Sequence, residues 1–203
     1  MYQETSLPCC INNDSEEMWF VLLKDYCNLE KSEDIRSKEV VSIPVDLSKS
    51  IQGKYFVGQT DALLVGEGSS AWVGLINPHN SCIELFVNVF TVSNFSDDIL
   101  TAEIWLNKNI AEEGVTSQKV SPTNTAIRPL PKNKADLRFV QSTTAVPGNG
   151  VNIYERIVPP HTTLVGEEDG KFIEAPGGNY MIVLKSSSST LDKAIVAFGW
   201  WEN

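Results

Sequence analysis

An all-β fold is predicted, a β-sandwich preceded by an extended N-terminal arm, and three observations carry that reading. From Val40 onward, short β-branched and aromatic runs recur between clusters of Gly, Pro, Asn and Asp, at the spacing of sandwich strands. The clearest run, 82–94, alternates, with Ile83, Leu85, Val87 and Val89 on one face and Cys82, Glu84, Phe86 and Asn88 on the other. No stretch shows the sustained apolar period of a helix.

The elements follow in chain order. Residues 1–17 join Leu7-Pro8-Cys9-Cys10 to the polar, acidic Asn12-Asn13-Asp14-Ser15-Glu16-Glu17 and predict a mobile arm, leaving 18–203 as a single domain. The apolar run Met18–Leu23 reads as a strand, and the charged 28–39 as a surface loop or short helix. Strands are then expected at 40–47, 54–58, 62–66, 70–76 and 82–94. Those after them are 99–106, 115–120, 137–142, 151–158, 171–174, 179–186 and 193–201. In 99–106, Leu100, Ala102, Ile104 and Leu106 oppose Thr101, Glu103 and Trp105, and the turn Asn94–Asp98 predicts a hairpin with 82–94. The runs 179–186 and 193–201 are apolar on both faces, as central strands are. Residues 121–136, with three prolines, and 143–150, ending in Pro147-Gly148-Asn149-Gly150, are expected as exposed loops.

At 203 residues the chain is long enough to bury a core without disulfide or metal staples. Sixteen Lys and Arg against 26 Asp and Glu leave a net charge of -10. That balance argues against nucleic acid or an anionic membrane surface as a partner. No window has the apolar length of a membrane helix, and Met1–Ser6 lacks the basic and apolar regions of a signal peptide. Synthesis in the cytoplasm is expected, with any outside role reached by another route such as lysis.

Catalytic chemistry is sparse. His79 and His161 each follow a proline in a turn, which predicts exposed turn residues. There is no Gly-x-Ser-x-Gly elbow and no phosphate loop. Asp97-Asp98, Glu112-Glu113 and Glu167-Glu168-Asp169 lack calcium-loop spacing and read as solvated loop tips. No catalytic residue, cofactor or metal site is expected, and the chain does not read as an enzyme.

The four cysteines are the exception: Cys9 and Cys10 adjacent in the arm, Cys27, and Cys82 at the mouth of the clearest strand. Vicinal cysteines lack the spacer that lets two thiolates reach one zinc ion. Four unpaired thiols in a reducing cytoplasm are the plain alternative, but free structural cysteines are usually buried and the arm pair has little apolar sequence around it. Cys82, opposite Ile83 and Leu85, is expected to point outward. Two donors on an arm and two acceptors on a body suit covalent linkage between subunits.

An arm carrying a Cys-Cys pair, followed by an acidic β-rich body with two further cysteines, resembles the Ena-type endospore appendage pilus subunits of spore-forming Firmicutes. The stretch from Tyr55-Phe56-Val57-Gly58-Gln59-Thr60-Asp61 through Glu103-Ile104-Trp105-Leu106-Asn107 also resembles an uncharacterised family from the same bacteria. The first resemblance implies a jelly-roll-like β-sandwich and a self-assembling subunit of a spore-surface or extracellular fibre. In such a fibre the arm reaches into other subunits, sheet edges pair laterally, and Cys9, Cys10, Cys27 and Cys82 supply intersubunit disulfides. The implied partners are copies of the chain itself and other spore-surface proteins. The rival reading is a carbohydrate- or surface-binding sandwich using Trp72, Trp105, Trp200 or Trp201 as a stacking platform. A cupin-like enzyme ranks third, because the two His are not clustered.

Overall fold

The computed structural model describes residues 42–110 and 114–203. The arm, its boundary at residue 17, the expected strand Met18–Leu23, Cys9, Cys10 and Cys27 lie outside the described residues. Among the described residues the first element, and the one helix, is the short α1 (Val45–Ile51). Twelve strands follow: β1 (Tyr55–Gln59), β2 (Leu63–Val65), β3 (Ser70–Ile76), β4 (Leu85–Asn94), β5 (Leu100–Leu106) and β6 (Val115–Thr116), then β7 (Val120–Pro122), β8 (Asp136–Thr143), β9 (Val151–Val158), β10 (Thr163–Glu174), β11 (Asn179–Ser186) and β12 (Asp192–Glu202).

The strands form two antiparallel sheets, ordered β10-β4-β12-β1-β7, with β2 also on β12, and β6-β8-β3-β11-β5-β9. When β1, β3, β4, β5, β9, β10, β11 and β12 are counted first to eighth, the sheets read 1-8-3-6 and 2-7-4-5. That alternation between sheets is the jelly-roll pattern of two interleaved Greek keys. Between the sheets lies the core, with Leu85, Val87, Phe90, Val92, Val196, Phe198 and Trp200 on one side and Val73, Leu75, Ala102, Ile104, Ile182 and Leu184 on the other. The second sheet carries a smaller cluster on its outer side, where Trp72, Met181 and Val183 meet Trp105, Ile110, Val140 and Val146. This is why β11 is apolar on both faces. Glu202 closes the C-terminal strand: its buried carboxylate accepts hydrogen bonds from the amides of Lys134 and Ala135 and from Trp200 Nε1.

The connection from β5 to β9 crosses the molecule. It lays β8 on β3, β6 on β8 and β7 on β1, so both sheets are extended on that side. On the opposite side β9 and β10 each have a neighbour on one flank only among the described residues.

Four expectations are corrected. Residues 45–51 are helical, not part of a strand 40–47: Pro44 precedes the first turn, Asp46 lies in that turn and Lys49 in the last, the end preferences of a helix. β4 and β5 are not a hairpin. They belong to opposite sheets, and their inward residues meet across the core, an arrangement that strand alternation cannot distinguish from a hairpin. Val89 does not face the core. Val87 pairs with Trp200 and Val89 with Gly199, so Asn88 is an extra residue that shifts the alternation and turns Phe90 and Val92 inward. Finally, β10 begins at Thr163, not 171: residues 168–171 bulge out of its ladder with β4 and resemble a loop in sequence.

Candidate assembly surface

The solvent side of the first sheet is poor in charge and in side-chain bulk. Two cross-strand rows run over it, Val165–Thr91–Ala197–Gln59 and Glu167–Val89–Gly199–Val57–Ser121, with Glu167 as the charge at the β10 end. At Ala197 and Gly199 the central strand presents a methyl group and a hydrogen where its neighbours carry longer side chains. The result is a groove of about 440 Å³ lined by Val57, Val89, Ala197 and Gly199 and rimmed by Gln59, Thr91, Lys119 and Ser121. Lys119, the one charge on its rim, is paired with Asp61 at 2.6 Å. Gly199 cannot be larger: a Cβ there would lie 2.5 Å from Tyr55 Oη, which accepts a hydrogen bond from Asn88 Nδ2.

The groove continues toward an aromatic end. Tyr55 and Phe86 stack on Trp201 at centroid distances of 6.4 and 5.2 Å. Pro44, Val45 and Asp46 lie beside Tyr55, Asn88 and Val89 and the carboxylates of Glu167 and Asp169, so the described fold begins next to this surface and its acidic border.

Cys82 precedes β4 in a turn ordered by Asn77. The Asn77 amide donates to the carbonyls of Ile83 and Glu174 at 2.9 and 2.8 Å. Cys82 itself is exposed, at φ 54°, between buried Ser81 and Ile83. Its outward position therefore comes from the turn and not from strand alternation, because β4 starts only at Leu85. The side chain is engaged rather than free.

A family model matches residues 25–203, which takes in Cys27, Cys82 and every described strand. The chain belongs to DUF6143, a family of unknown function. No curated protein and no solved structure matches it.

Among the described residues of this DUF6143 chain, no tryptophan presents an open stacking face. Trp72, Trp200 and Trp201 are buried, and the ammonium of Lys108 stands 3.6 Å over the ring of half-buried Trp105. The carbohydrate-binding reading loses the surface on which it depended. His79 and His161 are exposed in turns, His79 against Gly177 and His161 with Nε2 2.8 Å from Asp97 Oδ1. Asp97 and Asp98 are each engaged, by His161 and by Ser188, and Glu168 accepts from the buried Tyr180 hydroxyl. Among the described residues no three potential ligands gather into a metal site. Sequence reasoning missed the groove because it assigned Val89 inward; the run Ala197-Phe198-Gly199, small at both outward positions of a central strand, was the available signal.

Proposed function

We propose that this protein is a self-assembling structural subunit of a fibre, of the endospore-appendage kind, working at the spore surface or outside the cell. The observation that carries the reading is the apolar-floored, side-chain-poor groove on the solvent side of a central strand, whose one rim charge, Lys119, is paired with Asp61, beside the point where the described fold begins. Apolar surface of this kind, on a chain of charge -10, favours burial by a neighbouring copy over exposure to water. The occupant we assign is the N-terminal arm of that copy, laid along the sheet. In an oxidising environment Cys9, Cys10, Cys27 and Cys82 are the residues we assign to intersubunit disulfides, each formed from two thiols that give up two electrons and two protons to the external oxidant.

The test is Ala197→Glu, which puts a carboxylate on the floor of the groove at a half-exposed position and leaves the core untouched. The variant is expected to keep the parent melting temperature and to sediment as a 22.4 kDa monomer while the parent polymerises. Polymerisation equal to that of the parent would overturn the reading.

A further inference from the structure

We infer that the end of the second sheet is a binding site for an oxyanion, the phosphate or carboxylate group of a small molecule. A polar pocket of about 520 Å³ lies where β3 and β5 finish and β8 and β11 begin. Three of its lining residues carry basic side chains, His79, Lys108 and Arg138, and none of its described lining residues is acidic. On a chain of charge -10 that grouping runs against the average surface and gives an anion a local place of attraction. The volume falls within the roughly 300–1,000 Å³ of small-molecule sites, so the anionic group is part of a larger molecule.

The frame is fixed in advance. The Gly177 amide donates to the Asn77 carbonyl at 2.8 Å and the Asn77 amide to that of Gly178 at 3.0 Å, which ties the two turns together. The buried side chain of Asn179 grips the backbone of Lys108, accepting from its amide at 3.1 Å and donating to its carbonyl at 3.0 Å. Gly177, at φ 92°, carries no side chain where the His79 ring lies: a Cβ there would be 2.5 Å from Cε1 and 2.6 Å from Nδ1, so the exposed imidazole is seated by contact.

Two charges in this frame are incompletely met. Lys108 is only 7% exposed, and its ammonium has the carbonyls of Pro147 and Asn149 at 2.6 and 3.3 Å and the Trp105 ring beneath it, with no carboxylate in ion-pairing distance among the described residues. Arg138 gives one guanidinium nitrogen to Asp136 at 2.6 Å, and its Nε is buried with no acceptor. Buried donors without acceptors are rare in folded proteins, and an anion oxygen beside Arg138 supplies the missing one.

The groove of the proposed fibre lies on the other sheet, so the outcome here is independent of that of Ala197→Glu. Inorganic phosphate and succinate are each titrated by calorimetry into the reduced full-length chain, with ionic strength held constant by chloride. Saturable binding of at least one is expected, and the tighter of the two names the group. Arg138→Gln should weaken it about tenfold or more, as loss of a hydrogen bond between charged groups does. His79→Gln, at an exposed turn position, should weaken it severalfold with the melting temperature unchanged, which separates lost binding from lost folding. Lys119→Gln, outside the pocket, should leave it as it was. Because Glu112 and Glu113 follow Ile110 of the lining in the sequence, the double variant Glu112→Gln/Glu113→Gln is titrated beside the parent and should bind equally. No saturable binding by the parent, binding acquired only by that double variant, or equal weakening by Lys119→Gln and Arg138→Gln would overturn the inference.

Discussion

Glu174 shows what a single buried carboxyl does to this fold. It ends β10 with its side chain nearly sealed from water, so close to Gly178 that a Cβ there would sit 2.6 Å from Oε2. Burial disfavours the charged form and pushes its pKa up from 4.5 to about 7. The sign follows from linkage: a folded-state value above the unfolded one means stability that is full below about pH 4.5 and is lost as pH rises through about 7. Glu174→Gln removes the ionisation. Its melting temperature is therefore expected to fall less than the parent's between about pH 5 and about pH 8, measured by circular dichroism. A parent slope unchanged by the substitution would place the titration elsewhere.

At the scale of elements, Cys82 and β4 belong together, because the turn that exposes the cysteine also delivers Ile83 and Leu85 to the core. Replacing an exposed side chain in such a turn leaves no cavity, so under reducing conditions Cys82→Ser should change unfolding free energy by less than ~0.5 kcal/mol. Without reductant, the same variant should form fibres that dissolve sooner in hot detergent. A large loss of stability would mean that Cys82 is structural; unchanged fibre survival would mean that it is not a linkage point. Strand existence was legible in the sequence, and 151–158 and 179–186 match β9 and β11 to the residue. Strand partnership was not. Alternation reports that one face is buried and is silent on which sheet buries it, so β4 and β5 read as a hairpin. Nor does alternation survive an inserted residue such as Asn88. The helix was hidden for a different reason: four of the six residues 40–45 are Val or Ile, and Pro44 at a helix start looks the same as Pro44 at a strand end.

At the scale of the whole molecule, the main core cluster among the described residues runs from Phe56 to Trp200, and residues 43–203 make one compact unit. A chain lacking residues 1–15 keeps every one of those residues and is expected to keep its cooperative melting transition. The sandwich was legible because its core strands announce themselves by composition. The assembly groove was not, because a surface made of Ala197 and Gly199 between valines differs from ordinary strand surface only in what it lacks. The central claim, that copies of this chain build a fibre through the arm, is tested most directly by negative-stain electron microscopy of the purified chain after oxidation, beside the chain lacking residues 1–15. The account predicts fibres from the full chain that give a ladder on a non-reducing denaturing gel and collapse to 22.4 kDa with reductant, and none from the truncated chain. Uniform single particles and a lone monomer band from the oxidised full chain would contradict it.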